Sequence, residues 1–221
     1  MVTFSPYLFI KVTFFNLKEE YLVRKSFYHN PLFKKTDLFL KKAYRFSNPY
    51  HIAKKFAKKR GEADLHTYGE TPLTTLYKIL KLAKANKEDI FLDLGAGRGR
   101  VTFFVSTYLG CKAIGIEHNP HFLKKAQKIA SSLPIKPLFL GKNMLLEDSM
   151  PKATLIYFYG ICLDEPSFLS VVNQFALLSK GVKVITVSFP LSDYIDSFRL
   201  ISAEIFSYPW GEATVYIQEK T

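Results

Sequence analysis

The stretch from Ile90 to Leu109 constrains this chain more than any other. A short apolar run, Ile90 to Leu94, leads into Asp93-Leu94-Gly95-Ala96-Gly97-Arg98-Gly99, and a segment with Val101, Phe104, Val105, Tyr108 and Leu109 on one helical face follows at once. A buried strand, a glycine-rich turn and a helix in that order form a nucleotide-holding unit of a parallel sheet. Gly95, Gly97 and Gly99 allow the tight turn and leave bare backbone for a ligand to press against. The dinucleotide fingerprint G-x-G-x-x-G fails here, because its sixth position is Arg100.

The next acidic landmark is Glu117, which ends the following strand 24 positions after Asp93. A carboxylate there can accept hydrogen bonds from both hydroxyls of a ribose. Alone it is a surface carboxylate near a helix start, and with the glycine loop it marks a nucleoside site. After the third strand comes Lys142-Asn143-Met144, where the Asn143 amide can serve an adenine edge or simply make a turn.

Strands alternate with helices from residue 90 onward. Strands are predicted at 90–94, 112–117, 135–140, 154–159 and 182–188, with a closing antiparallel pair at 200–207 and 213–218. Helices are predicted at 99–109, 119–132 and from Pro166 to near Gly181. An earlier helix starts at Thr71-Pro72, with Leu73, Leu76, Ile79, Leu80 and Ala83 in phase. The pattern predicts an α/β fold, a doubly wound, mostly parallel seven-stranded sheet with antiparallel C-terminal strands.

The charge divides the chain. Residues 1–60 hold 14 Lys and Arg against 3 Asp and Glu, and the other 161 hold 17 against 16. We therefore expect a basic, largely helical extension over 1–65 and a nearly neutral domain over 66–221. Residues 1–33 show no clean period, a helical pattern begins at Lys34, and Asn48-Pro49 opens a helix that runs through five cations to Gly61. An anionic membrane surface or nucleic acid suits such an extension, and so does plain solvent. No apolar run is long enough to span a bilayer, and Met1 to Phe15 do not read as a secretory signal. The cysteines, Cys111 and Cys162, match no disulfide framework and no zinc spacing, and we expect buried thiols in a cytoplasmic protein.

The spacing Asp-Leu-Gly-x-Gly-x-Gly resembles the first motif of class I S-adenosylmethionine (SAM)-dependent methyltransferases. That resemblance implies a Rossmann-like methyltransferase fold, SAM as cofactor, and Asp93, Gly95, Gly97, Gly99, Glu117, Asn143 and Tyr157 around it. Tyr68-Gly69-Glu70, the glycine motif, Gly110-Cys111 and Gly115-Ile116-Glu117 together look like Dot1-type lysine methyltransferases. Asn119-Pro120 and Ser188-Phe189-Pro190 are closer still to the small lysine methyltransferases of ATP synthase subunit c and the adenine nucleotide translocase. The likeness runs from Tyr68 to Gln218. It implies a protein lysine as acceptor, Tyr68 and Glu70 as catalytic residues, and Phe158, Tyr159, Phe189 and Pro190 along the substrate channel. Glu70 is expected to orient the amine or take its proton. Those enzymes carry a membrane-inserting segment that has no counterpart here, so association with a membrane is expected to be peripheral at most. The alternative is an RNA methyltransferase gripping phosphates through residues 1–60. Against a base methyltransferase, the fourth strand ends in Tyr157-Phe158-Tyr159-Gly160 rather than an Asp-Pro-Pro-Tyr-like tetrapeptide. No metal is expected.

Overall fold

The structure, a computed structural model, describes residues 6–62, 68–146 and 150–221. The expected boundary at 65/66 lies outside the described residues. Four helices come first: α1 (Pro6–Phe27), α2 (Pro31–Ala43), α3 (Pro49–Arg60) and α4 (Leu73–Leu82). The alternating part follows as β1 (Ile90–Leu94), α5 (Arg100–Phe104), β2 (Lys112–Ile116), α6 (Pro120–Ser131), β3 (Leu138–Leu140), β4 (Leu155–Phe158), α7 (Glu165–Ala176), β5 (Lys183–Val187), β6 (Phe198–Tyr208) and β7 (Gly211–Lys220).

The strands form one seven-stranded sheet in the order β3-β2-β1-β4-β5-β7-β6. β1 to β5 pair in parallel, and β7 pairs antiparallel with both β5 and β6. The chain winds outward from β1 to β3, then returns to lay β4 on the other side of β1. A crevice opens at that reversal, beyond the carboxyl ends of β1 and β4, and ligands of such sheets bind there. The glycine loop leaves β1 at this point.

Asn-Pro pairs start three helices. Asn30, Asn48 and Asn119 each accept a backbone N–H of the first turn, and the following proline supplies the preset φ. The α2 start at Pro31 corrects the expected start at Lys34. The larger correction is α1, a 22-residue helix where the sequence shows no clean period. It has apolar side chains on both of its faces, so a single-stripe search misses it. After α5 the helix widens into a π turn over Val105–Leu109, which stacks Tyr108 on Phe104 at 5.0 Å.

The helices before residue 62 pack on the sheet layer. Phe27 and Phe33 lie 5.0 and 5.2 Å from the Phe104 ring, edge to face, and all three are essentially buried. Burying each such side chain stabilises the fold by about 1.5–3 kcal/mol. Asn30 also donates to the Thr107 carbonyl inside the π turn at 3.3 Å. Helix α4 begins at Pro72 with no side-chain cap of its own. Glu19 of α1 supplies one, accepting from the Thr74 N–H at 3.0 Å and its hydroxyl at 2.5 Å. Glu19→Ala is therefore expected to lower stability by about 1–2 kcal/mol, the usual loss for a helix cap, measured by urea denaturation. An unchanged midpoint would show that α1 does not cap α4.

Helix α3 roofs the crevice. Its first turn puts Tyr50 edge-on to Tyr68 at 5.2 Å, and further along Phe56 lies against His118 at 5.0 Å. Ala53 and Ala57 face inward, and Lys54, Lys55, Lys58, Lys59 and Arg60 face solvent. Cys111 is buried, as expected, whereas Cys162 is only half-buried. No helix among the described residues is long and apolar enough to cross a membrane.

Candidate active site

The glycine loop is tied to the next strand: Gly95 and Ala96 both donate to the Ile116 carbonyl, at 3.1 and 2.9 Å. Gly97 and Gly99 sit at φ +55° and +85°, and a Cβ at either would meet an aromatic ring, Tyr68 at 2.9 Å or Phe139 at 2.7 Å. Both positions therefore demand glycine on conformation and on space. Asp93 is buried at the end of β1, where its carboxylate accepts from Thr102 at 2.7 Å. Burial pushes its pKa up to about 6.

Glu117 follows β2 and points back under the loop. One oxygen accepts the Gly97 N–H at 2.7 Å and the other the Asn119 N–H at 2.6 Å. Burial pushes this carboxyl up to about 7 despite those donors. Each oxygen keeps a lone pair, so the group can still accept from two hydroxyls. Asn143 turns its side-chain oxygen onto the Leu145 N–H at 3.1 Å, which is the turn alternative in geometric terms. Its amide NH₂ is the part left to meet an adenine edge.

Tyr68 and Glu70 stand on the opposite wall. The Tyr68 ring covers Gly97 and leans on Phe122 at 5.2 Å, and its hydroxyl donates to Glu70. Arg98, the variable residue of the glycine motif, donates through Nη2 to the other Glu70 oxygen at 2.7 Å. Its Nε lies 2.5 Å from Oε1, close but outside hydrogen-bond geometry, and Arg100 adds a cation at 3.9 Å. Burial works to raise the Glu70 pKa, but Arg98 and Arg100 outweigh it and hold the carboxyl below its ordinary range. Glu70 is thus built to stay a charged acceptor rather than to collect a proton.

The run at the end of β4 splits by strand alternation, which corrects the expected channel wall. Tyr157 and Tyr159 face the crevice side, and Phe158 points to the opposite layer. There it is fully buried against Phe175 and Phe189 at 5.6 and 5.8 Å. Phe189 belongs to the same cluster, 4.5 Å from Phe168, and Pro190 precedes a short 3-10 turn. Phe158 and Phe189 therefore pack the far core and do not line the crevice, and Pro190 is half-buried beside them in sequence. Tyr157 is buried with its hydroxyl 2.5 Å from that of Thr71, placing it under the Tyr68 loop. Tyr159 stays at the crevice, and its hydroxyl accepts from the Trp210 indole at 2.8 Å. Sequence reasoning missed Arg98, Tyr50 and Trp210. Arg98 sits at a position the motif leaves free, and the other two lie far from the motif in sequence.

Two openings share the Glu70–Arg98–Arg100 wall. The one beside the glycine loop, between Tyr68, Gly95, Tyr157 and Tyr159, holds about 40 Å³. The other, between the N-terminal helices and Glu70, holds about 710 Å³. Glu117, Asp93 and the loop backbone fit the diol and amino-acid ends of SAM. A site for a ligand of that size takes roughly 300 Å³ or more. Among the described residues no group of three His, Cys, Asp or Glu is placed to hold a metal ion.

Residues 57–146 match the family model described as Histone methylation protein DOT1. Among solved structures, MtNAS in complex with MTA and tNA superposes with a TM-score of 0.57 at 14% identity, over 85% of this chain and 71% of that one. An RNA methyltransferase from Salinibacter ruber, in complex with S-adenosyl-L-homocysteine, gives 0.52 at 24% identity, over 69% and 94%. This is the class I SAM-dependent methyltransferase fold, with Dot1-like motifs. A histone-lysine N-methyltransferase, H3 lysine-79 specific, from Dictyostelium discoideum is 25% identical over 159 residues. That match covers 65% of this chain and only 9% of the Dictyostelium protein.

Proposed function

We propose that this chain uses SAM to methylate a lysine side chain of a protein. The observation that carries the reading is the Tyr68–Glu70 loop, clamped by Arg98 over the glycine loop, within the stretch that matches the DOT1 family model. The Dictyostelium relative supports the same acceptor. SAM supplies a methyl group on a sulfonium, open to in-line displacement. Glu117 would hold the ribose, and the glycine loop and Asp93 the amino-acid end. Tyr68 and its loop must draw back from Gly97 to admit the cofactor, because the present opening is too narrow.

The acceptor amine has to be neutral to attack. A free lysine has a pKa of about 10.4, so at pH 7 roughly one in 2,500 is uncharged. Arg98, Arg100 and a dry site all favour the neutral amine. Because Arg98 already balances Glu70, the carboxylate can accept an N–H from the amine without strongly holding it charged. The amine lone pair would take the methyl group of the bound cofactor as the C–S bond opened, and the extra proton on nitrogen would pass to water. Glu70 orients, and the aromatic surround of Tyr50, Tyr68 and Tyr159 excludes solvent. The larger cleft, with Glu70 in its wall, is the route by which a protein segment reaches that amine position.

The test uses methyl-labelled SAM with host lysate, followed by nuclease or protease. Protease-sensitive label is expected, and label confined to nuclease-sensitive material would transfer the reading to RNA. Glu70→Gln, folded by circular dichroism, is expected to keep its SAM affinity and to transfer methyl about tenfold more slowly, a loss of about 1.4 kcal/mol. Transfer at the wild-type rate would remove Glu70 from the acceptor site.

A further inference from the structure

Helix α1 is apolar on a face that none of the described residues covers. With about 3.6 residues per turn, Val12, Phe15, Glu19, Val23 and Phe27 line its inner side. Val23 and Phe27 are buried at 0% and 2% exposure. On the opposite side Ile10, Phe14, Leu17 and Tyr21 are 66%, 70%, 65% and 63% exposed. Their spacing of four, three and four residues makes one straight stripe about 16 Å long.

The charge along the stripe is one-signed. Lys11, Lys18 and Lys25 recur every seven residues on one flank, all exposed. Neither α1 carboxylate answers them: Glu19 is buried on Thr74, and Glu20 pairs with Arg24 at 2.7 Å and Lys41 at 2.5 Å. A large apolar stripe with three exposed lysines along one flank and the Arg24–Glu20 pair on the other sets what can cover it. A second copy of this helix would bring like charges together along the seam. A nucleic acid would satisfy the lysines and leave the aromatic and aliphatic side chains in water.

We infer that α1 lies on an anionic lipid surface, with Ile10, Phe14, Leu17 and Tyr21 sunk into the headgroup–acyl boundary and Lys11, Lys18 and Lys25 at the level of the lipid phosphates. The inner face of α1 stays on the core, so docking needs no unfolding and brings the whole domain to the bilayer. The inference is independent of the methyl acceptor.

The experiment is flotation of the full chain with vesicles of phosphatidylcholine, or of phosphatidylcholine and phosphatidylserine, at low and high salt. Binding is expected to the phosphatidylserine vesicles and to weaken with salt. Phe14→Ser/Leu17→Ser is expected to lower partitioning about tenfold or more, and Lys11→Gln/Lys18→Gln/Lys25→Gln about tenfold. All five side chains are exposed, so circular dichroism should match the parent. Three results would overturn the inference: no binding to phosphatidylserine vesicles at low salt, wild-type binding by the serine variant, or tighter binding to duplex RNA that the serine changes leave untouched. A dimer by light scattering that the serine variant dissolves, without vesicle binding, would also overturn it and assign the stripe to self-association.

Discussion

Arg98→Met is expected to destabilise the protein by about 3 kcal/mol, the cost of leaving one member of a largely buried ion pair alone. The stranded group is Glu70, which Arg98 contacts at 2.7 and 2.5 Å. With the guanidinium gone, only Arg100 at 3.9 Å and the Tyr68 hydroxyl are left to oppose burial, and the carboxyl pKa rises. The loop then loses its clamp on the glycine motif, and Tyr68 loses the fixed acceptor of its hydroxyl. Arg98→Met/Glu70→Gln removes the orphaned charge and is expected to recover part of that loss. The double-mutant cycle by urea denaturation measures the coupling. Additive losses would mean that the pair contributes no coupling and that Arg98 acts through its stacking on Tyr44, where the guanidinium lies 5.7 Å from the ring. In folded Arg98→Met, methyl transfer is expected to fall further than SAM affinity does.

Glu117→Ala is expected to weaken SAM binding by about 1–3 kcal/mol and to lower stability by a similar amount, because two roles meet in one carboxylate. It would accept both ribose hydroxyls, and it already accepts the Gly97 and Asn119 N–H groups. Its removal orphans those donors next to the loop they shape. Calorimetry with S-adenosylhomocysteine and thermal melts of the free protein separate the two losses, and unchanged affinity would remove Glu117 from the cofactor site. The wild-type pH profile carries a second signature. The free carboxyl titrates near about 7, and only the charged form accepts from both hydroxyls. Affinity should therefore rise from pH 5 to about pH 7 and level off above it, by up to about tenfold per unit on the acid side. The Asp93 carboxyl, raised to about 6, steepens the lower part. Stability of the free protein runs the other way. A carboxyl raised on folding contributes most below its ordinary value near 4.5, and that contribution is lost as pH rises through about 7. Glu117→Gln should flatten the profile above pH 6.

Much of this architecture is local and was legible in the chain. The glycine motif reads as a strand-to-helix turn because Gly97 and Gly99 need left-handed backbone, a property of the residue itself. Asn48-Pro49 and Asn119-Pro120 read as helix starts because cap and preset φ are neighbours in sequence. Asn30-Pro31 carries the same signal, although the helical period becomes clear only three residues later, at Lys34. Phe158 was separable too, since alternation along a strand sends it away from Tyr157 and Tyr159. Other features have no local cause. Helix α1 has apolar residues on both faces, and only the packed structure shows that one faces Phe104 and the other faces outward. Arg98 meets Glu70 across 28 residues, and Trp210 meets Tyr159 across 51. The sequence by itself determined the order of strands and helices and the turn that can hold a nucleoside, because backbone preference and hydrophobic period act over a few residues. Only the tertiary structure decided which charge balances Glu70, which rings close over the glycine loop and which face of α1 is left in water. Those depend on distances that exist only after β4 returns beside β1 and the helices before it close over the sheet.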